Sequence, residues 1–178
     1  MVGLVSRQGR QLQRYNSNGY RLVVGCIPYR LKKEEGKISD DEVLEILVIT
    51  SQKGHGMMFP KGGWEIDESM KQAAFREAME EAGVIGTIEC DLGKWLYRSK
   101  RNNNFHEGFM FGLNVTKELL QWPEMDTRKR KWVTVEEVRA GCQHQWMTEA
   151  LERLVASLPV QVDIKVLKSF RKIDHVSM

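Results

Sequence analysis

Glu77, Glu80 and Glu81 fall within five residues of one another in "REAMEEAGV", near the middle of the chain. On a helix, the positions three and four residues beyond Glu77 lie on its own side, so the three like charges face one another. Such a pair costs an isolated helix about 0.2–0.5 kcal/mol, which a wet surface tolerates. Two readings follow: an ordinary solvated face, or the seat of a hard cation. Carboxylate oxygens are the ligands that Mg2+ and Mn2+ prefer, and Mg2+ commonly shares its shell with substrate phosphates. Upstream, Gly62 and Gly63 let the backbone approach a phosphate or a metal without a side chain in the way. Arg76 directly precedes Glu77, and Glu68 stands eight residues before Arg76. An ion pair between those two would hold the glycine loop on the helix, with a positioning role rather than a large stabilising one.

These residues need elements to carry them. From Ser69 to Ala82 the pattern is helical, with Met70, Ala73, Ala74 and Met79 as a narrow apolar stripe flanked by Phe75 and Ala78. Ser69 or Asp67 can cap its start, and Gly83 stands where a left-handed stop is expected. Tyr20 to Leu31 reads as a strand, with Pro28 suggesting an edge or a bulge. The polar run 32–42 reads as a loop, and Val43 to Thr50 as a strand covered on both faces. Residues 51–57 turn the chain, and "MFP" is a short strand leading to the glycines. Residues 86–100 and 105–116 form a hairpin with a polar tip. A strand from Lys131 passes into a helix at Thr134, a plausible N-cap with Glu137 three residues on. An amphipathic helix then closes before Pro159, and the alternation "VQVDIKVL" is an optional further strand. This mixture gives a single α/β (α+β) layered domain at 18–158, after a basic segment at 1–17 and before a tail at 159–178.

The 178 residues suit one domain. No apolar run is long enough for a membrane helix, so no membrane partner is expected. Cys26, Cys90 and Cys142 are odd in number and widely spaced, which argues against a disulfide framework or a zinc knuckle. A cytoplasmic or nuclear place follows. Residues 1–33 carry Arg7, Arg10, Arg14, Arg21, Arg30, Lys32 and Lys33 with no Asp or Glu, so a mitochondrial leader is the alternative, as is an anion-binding edge. His55, His106 and His144 share no ligand spacing. Trp95, Tyr97, Phe105, Phe109 and Phe111 alternate as packing residues of a hairpin. "RKRKW" could touch RNA, but a net charge of +3 is small for a nucleic-acid binder.

Gly62, then Glu68, then "REAMEEAGV" resembles the Nudix box, the loop-helix-loop signature of the Nudix hydrolases. Gly62, Glu68, Arg76, Glu77, Glu80, Glu81, Gly83 and Val84 match it by position. Ala78 stands where a bulkier aliphatic residue is usual. The resemblance implies a Nudix-type α/β/α sandwich with a mixed sheet, and metal-dependent cleavage of a pyrophosphate. Glu77 and Glu81 would be the principal Mg2+ or Mn2+ ligands, and Glu80 the general base or another ligand. The Gly62 carbonyl would be a further ligand, while Glu68, Arg76 and Gly83 would be structural.

The flanks "RYNSNGYR", "FPKGGWE" and "RKRKW" are similar to the subgroup acting on diphosphoinositol polyphosphates and dinucleoside polyphosphates, in its plant members above all. Small polyphosphate substrates of this kind call for a rim of Arg and Lys. The expected rim is Arg21, Lys53, Lys61, Arg98, Arg101, Arg128 and Arg130, each of which alone could be a solvated charge. Two departures weaken the inositol preference: Lys61 replaces a usual glycine, and "TSQKGHG" lacks the usual arginine. Hydrolysis of nucleotide sugars, dinucleotides or RNA caps is the alternative within the enzymes. A non-catalytic phospholigand-binding module of the same fold is the alternative outside them.

Overall fold

The chain is described by a computed structural model that covers residues 5–33, 35–36 and 42–159. The expected tail strand and most of the expected loop at 32–42 lie outside those residues. Six strands build one sheet: β1 (Arg21–Lys33), β2 (Glu42–Ile49), β3 (Lys61–Gly63), β4 (Val84–Arg98), β5 (Phe105–Glu118) and β6 (Arg130–Thr134). Their order is β4-β5-β1-β2-β6, with β3 also paired to β1. The β1–β5 pairing is parallel and the others are antiparallel, so the sheet is mixed as expected.

Pro28 lies in the centre of the sheet rather than on an edge strand. β1 pairs with β5 from Arg21 to Tyr29 on one side. On its other side it pairs with β3 at Val23–Gly25 and with β2 from Tyr29 onward. Pro28 occupies the gap between those two partners, where a residue without an N–H interrupts no ladder. The short strand expected at "MFP" is displaced to Lys61–Gly63, and Met58 forms only an isolated bridge to Ile49.

Alternation along the strands sends apolar residues to both faces, and helices cover each. Ile27, Tyr29, Ile46, Val48 and Met110 point toward α2 (Val135–Gly141) and α3 (Gln145–Ser157), meeting Met147, Leu151 and Leu154. Val24, Cys26, Leu47, Ile49, Phe111 and Leu113 point the other way, against α1 (Met70–Glu77) and the turn that follows it. The hairpin aromatics pack as expected: Tyr97 stacks on Trp146 at 4.4 Å, and Trp95 is buried beside it.

The helix of the glutamates differs from the expectation in two ways. Ser69 caps α1 in a full capping box with Gln72, but from Ala78 to Ala82 the helix widens into a π turn. Such turns collect at functional sites. The buried stripe is therefore Ala73, Ala74, Ala78 and Ala82, all fully buried, while Met79 is only half-buried. The turn ends at Gly83, whose φ of 63° and ψ of 38° give the expected left-handed stop.

Candidate functional site

Small alanines on one side of α1 let it sit close to the sheet, and its other side meets the loop after β3. Glu77, Glu80 and Glu81 are all buried there, between 6% and 8% exposed. A solvated acidic face is thereby excluded. Burying a charge demands partners, and the structure supplies them from four directions.

Arg76 is the hub. Its Nε and Nη2 donate to the two Glu68 oxygens at 2.9 and 2.7 Å, a two-pronged pair. Nη1 donates to Glu77 at 2.7 Å and to Glu80 at 3.3 Å, and Nη2 also donates to the Gly63 carbonyl at 3.0 Å. One guanidinium therefore spans the glycine loop, Glu68 and two of the three box glutamates. The third, Glu81, accepts from the Lys61 backbone N–H at 3.1 Å and from Arg128 Nη2 at 2.8 Å. Glu80 accepts from the Arg7 N–H at 3.3 Å, and the Arg7 guanidinium pairs with Glu65 and Asp67. Gly62 is required by space: a Cβ there would collide with the Glu77 carboxylate.

The protein's own cations do not fully balance the set. Burial first, then repulsion from Glu81, pushes the Glu77 carboxyl up to about 8. Burial raises Glu81 to about 7, with Arg128 and Lys61 opposing the rise, and burial also raises Glu80. A hard divalent cation fits this donor set. Two buried carboxylates that resist ionisation would each gain from a double positive charge, and the Gly62 backbone lies directly against one of them. As arranged, Glu77 is turned to Arg76 and Glu81 to Arg128. Among the described residues no three acidic, His or Cys side chains converge on one point. Seating a cation thus requires these carboxylates to exchange partners.

The expected basic rim divides. Arg21 stands at the start of β1 beside the hairpin, and Lys61 starts β3, within electrostatic reach of Glu77 and Glu81. The Arg21 Nε donates to the Gln13 amide oxygen, and burial pulls its pKa down with Arg10 adding to the effect. Burial also lowers Lys61, against the pull of Glu81. Among the described residues neither side chain has a carboxylate within ion-pair distance. Arg128 is held by Glu81, by Glu124 at 3.1 Å and by the Thr50 carbonyl at 3.0 Å. Arg130 has a different task from the one expected. It donates to the carbonyls of Ala82, Gly83 and Leu119 and lies over the Trp122 ring, so it anchors the end of the π turn. Lys53 is exposed on the 51–56 turn. Arg98 stacks on Phe105 and Arg101 is exposed at the hairpin tip.

His106 is buried at the mouth of the cleft and kept neutral, pulled down to about 4 by burial and by Arg21, Lys61 and Arg10. Three participants carry no motif. Glu124 reaches the box through Arg128, and the spacing of four between them was its only signal in the sequence. Arg7 and Arg14 bring the basic N-terminal segment onto the loop: Arg14 donates to the carbonyls of Glu65, Ile66 and Glu68 and covers the Trp64 ring. A cavity of about 400 Å3 opens between this segment and the hairpin, lined by Arg10, Tyr15, Tyr20, Arg21, Phe105 and His106.

Comparison with known proteins agrees with this geometry. A NUDIX domain is matched over residues 19–155. Nudix hydrolase 18, mitochondrial, of Arabidopsis thaliana is 58% identical over 159 residues, 89% of this chain and 89% of its own length. Diphosphoinositol polyphosphate phosphohydrolase 3-alpha of Mus musculus is 32% identical over 81% of this chain and 84% of its own. Among solved structures, an Ap4A hydrolase of C. elegans in a binary complex superposes with a TM-score of 0.57 at 24% identity, over 76% of this chain and 95% of its own.

Proposed function

The chain belongs to the Nudix family as one of its hydrolases, and from that premise we propose that it cleaves a phosphoanhydride bond in a small, highly phosphorylated molecule. The substrate class is a diphosphoinositol polyphosphate or a diadenosine polyphosphate, and the cofactor is Mg2+ or Mn2+. The observation that carries this reading is the burial of Glu77, Glu80 and Glu81 together on one turn, against a glycine loop. The names of the mouse relative and the C. elegans structure suggest the two substrate classes.

Glu77 and Glu81 would hold the cation with the Gly62 carbonyl, and Glu80 would either accept the proton of the attacking water or join them. When bound, the cation neutralises phosphoryl charge and makes the water a better nucleophile. The chain's own share is positioning. Arg76 fixes the loop against the helix and orients Glu77 and Glu80. Arg21 and Lys61, half-buried cations that have no carboxylate ion pair among the described residues, favour phosphate oxygens beside the glutamates. His106, kept neutral, can offer them a hydrogen bond without adding charge. Lys53, Arg98 and Arg101 are proposed as the outer rim that meets the remaining phosphates.

The test is release of phosphate or nucleotide from a panel of diphosphoinositol phosphates, diadenosine polyphosphates, ADP-ribose and capped RNA, with Mg2+ or Mn2+. Glu80→Gln and Glu81→Gln should each lower turnover by orders of magnitude. Undiminished activity in both would refute the mechanism, and no turnover of any substrate would favour a phospholigand-binding module. A mitochondrial place of action is a second reading, favoured by the name of the Arabidopsis relative. Imaging of a C-terminal fluorescent fusion of the full chain separates it from the cytoplasm and nucleus.

A further inference from the structure

Glu124 lies in the segment between β5 and β6, outside the box and outside the basic flanks. Its backbone N–H donates to the Glu80 carbonyl at 3.1 Å, so its main chain is tied to the π turn. Its carboxylate accepts from Gln52 at 3.1 Å and from Arg128 Nε at 3.1 Å. The same guanidinium reaches Glu81 through Nη2 at 2.8 Å and the Thr50 carbonyl through Nη1 at 3.0 Å. The Arg128 and Glu124 side chains are only 11% and 14% exposed, so water screens this pair poorly. A guanidinium so placed would give up its sole carboxylate only at a heavy desolvation cost. With two carboxylates it can release one and remain paired.

We infer that Glu124 is a positioning residue for the reaction: it retains Arg128 when Glu81 is given up to the divalent cation, and so makes Glu81 available. This rests on the proposed role of Glu81 as a cation ligand. Arg128 then stays beside the cleft, tethered through Nε, with Nη2 free to meet a substrate phosphate. Glu124 touches neither cation nor substrate in this scheme; it acts through Arg128. Without its charge, Arg128 has, among the described residues, Glu81 as its only acidic partner and competes for it against the cation.

The experiment is calorimetric titration of the metal-free full chain with Mn2+, for the wild type, Glu124→Gln, Glu124→Asp, Arg128→Gln and the double variant Glu124→Gln/Arg128→Gln. Glu124→Gln should weaken Mn2+ binding about tenfold, a coupling ordinary for charged groups in direct contact. Glu124→Asp should recover most of the loss. Arg128→Gln should tighten Mn2+ binding while raising KM for the polyphosphate. In the Arg128→Gln background, removing the Glu124 charge should change Mn2+ binding less than about twofold. Unchanged binding in Glu124→Gln, or an equal loss in both backgrounds, would overturn the inference, because Glu124 would then act without Arg128. A wild type that binds no Mn2+ would instead remove the premise. If Glu124→Gln does not fold, Arg128→Gln decides alone, and binding no tighter than wild type overturns the inference.

Discussion

On the α3 side of the sheet the core is filled by Tyr29, Phe59, Met110, Leu151 and Leu154, whereas on the α1 side the helix contributes four alanines. Large side chains hold a helix off a sheet and bury much apolar area; alanines bring it close and bury little. The α1 helix and its π turn therefore gain less from their apolar face, and they carry three buried carboxylates besides. Ion pairs with Arg76 and Arg128 offset that burden without making it favourable. Stability is concentrated on one face and chemistry on the other, and the sheet between them is shared.

Substitutions on the two faces should part accordingly. The largest effect belongs to Glu80→Gln, expected to lower kcat by about 10²- to 10⁴-fold while leaving the metal-free melting temperature unchanged or raised, since it removes a buried charge. A melting temperature that fell together with kcat would erase the distinction. Arg76→Gln stands at the join: it strands Glu68 and Glu77, and should cost about 3–5 kcal/mol as well as turnover, read by denaturant unfolding and by assay. Leu151→Ala is the mirror case, with a loss of about 2–5 kcal/mol and kcat within about twofold of wild type below the melting transition.

The smallest effect is the pH dependence, and its sign differs between groups. Glu77 and Glu81 have raised pKa values, about 8 and about 7 against an ordinary 4.5. The metal-free fold therefore binds more protons than the unfolded chain over that window, and its stability falls as pH rises through it. His106 is lowered from 6.5 to about 4, so its contribution is present above 6.5 and is lost as pH falls toward 4. Melting scans of the metal-free protein should show the first decline. Mn2+ should raise the melting temperature more at about pH 8.5 than at about pH 6, because fewer protons must be displaced. An equal rise at both would separate the raised carboxyls from the cation site.

Much of this division is legible in the sequence. The cap at Ser69 or Asp67, the capping box at Thr134, the stop at Gly83 and the apolar run of β2 are local signals, and each led to the element found. The box glutamates followed from spacing and resemblance. What escaped depends on partners far along the chain. Pro28 reads as an edge or a bulge because a sequence cannot show that two different strands leave a gap beside it. Arg130 read as part of a phosphate rim, since nothing local reveals the three carbonyls it serves. The strand Lys61–Gly63 was too short and too rich in glycine to register. Met79 stands nine residues after Met70, half a turn out of phase at about 100° per residue, so the stripe drawn through it is mis-phased; the π turn brings Ala82 to the buried side instead.

That turn makes the box intolerant of miscounting. An α-helix rotates by about 100° per residue, so deleting one residue between Ala78 and Ala82 would swing Arg76 and Glu77 by roughly that angle relative to Gly83. The Gly83 N–H reaches back to the carbonyls of both Ala78 and Met79, and Arg130 pins the far end. The extra residue cannot slide out along the helix. Length variation in this domain therefore has to be absorbed in its loops, such as the hairpin tip between β4 and β5, while the stretch from Arg76 to Gly83 behaves as a part of fixed length.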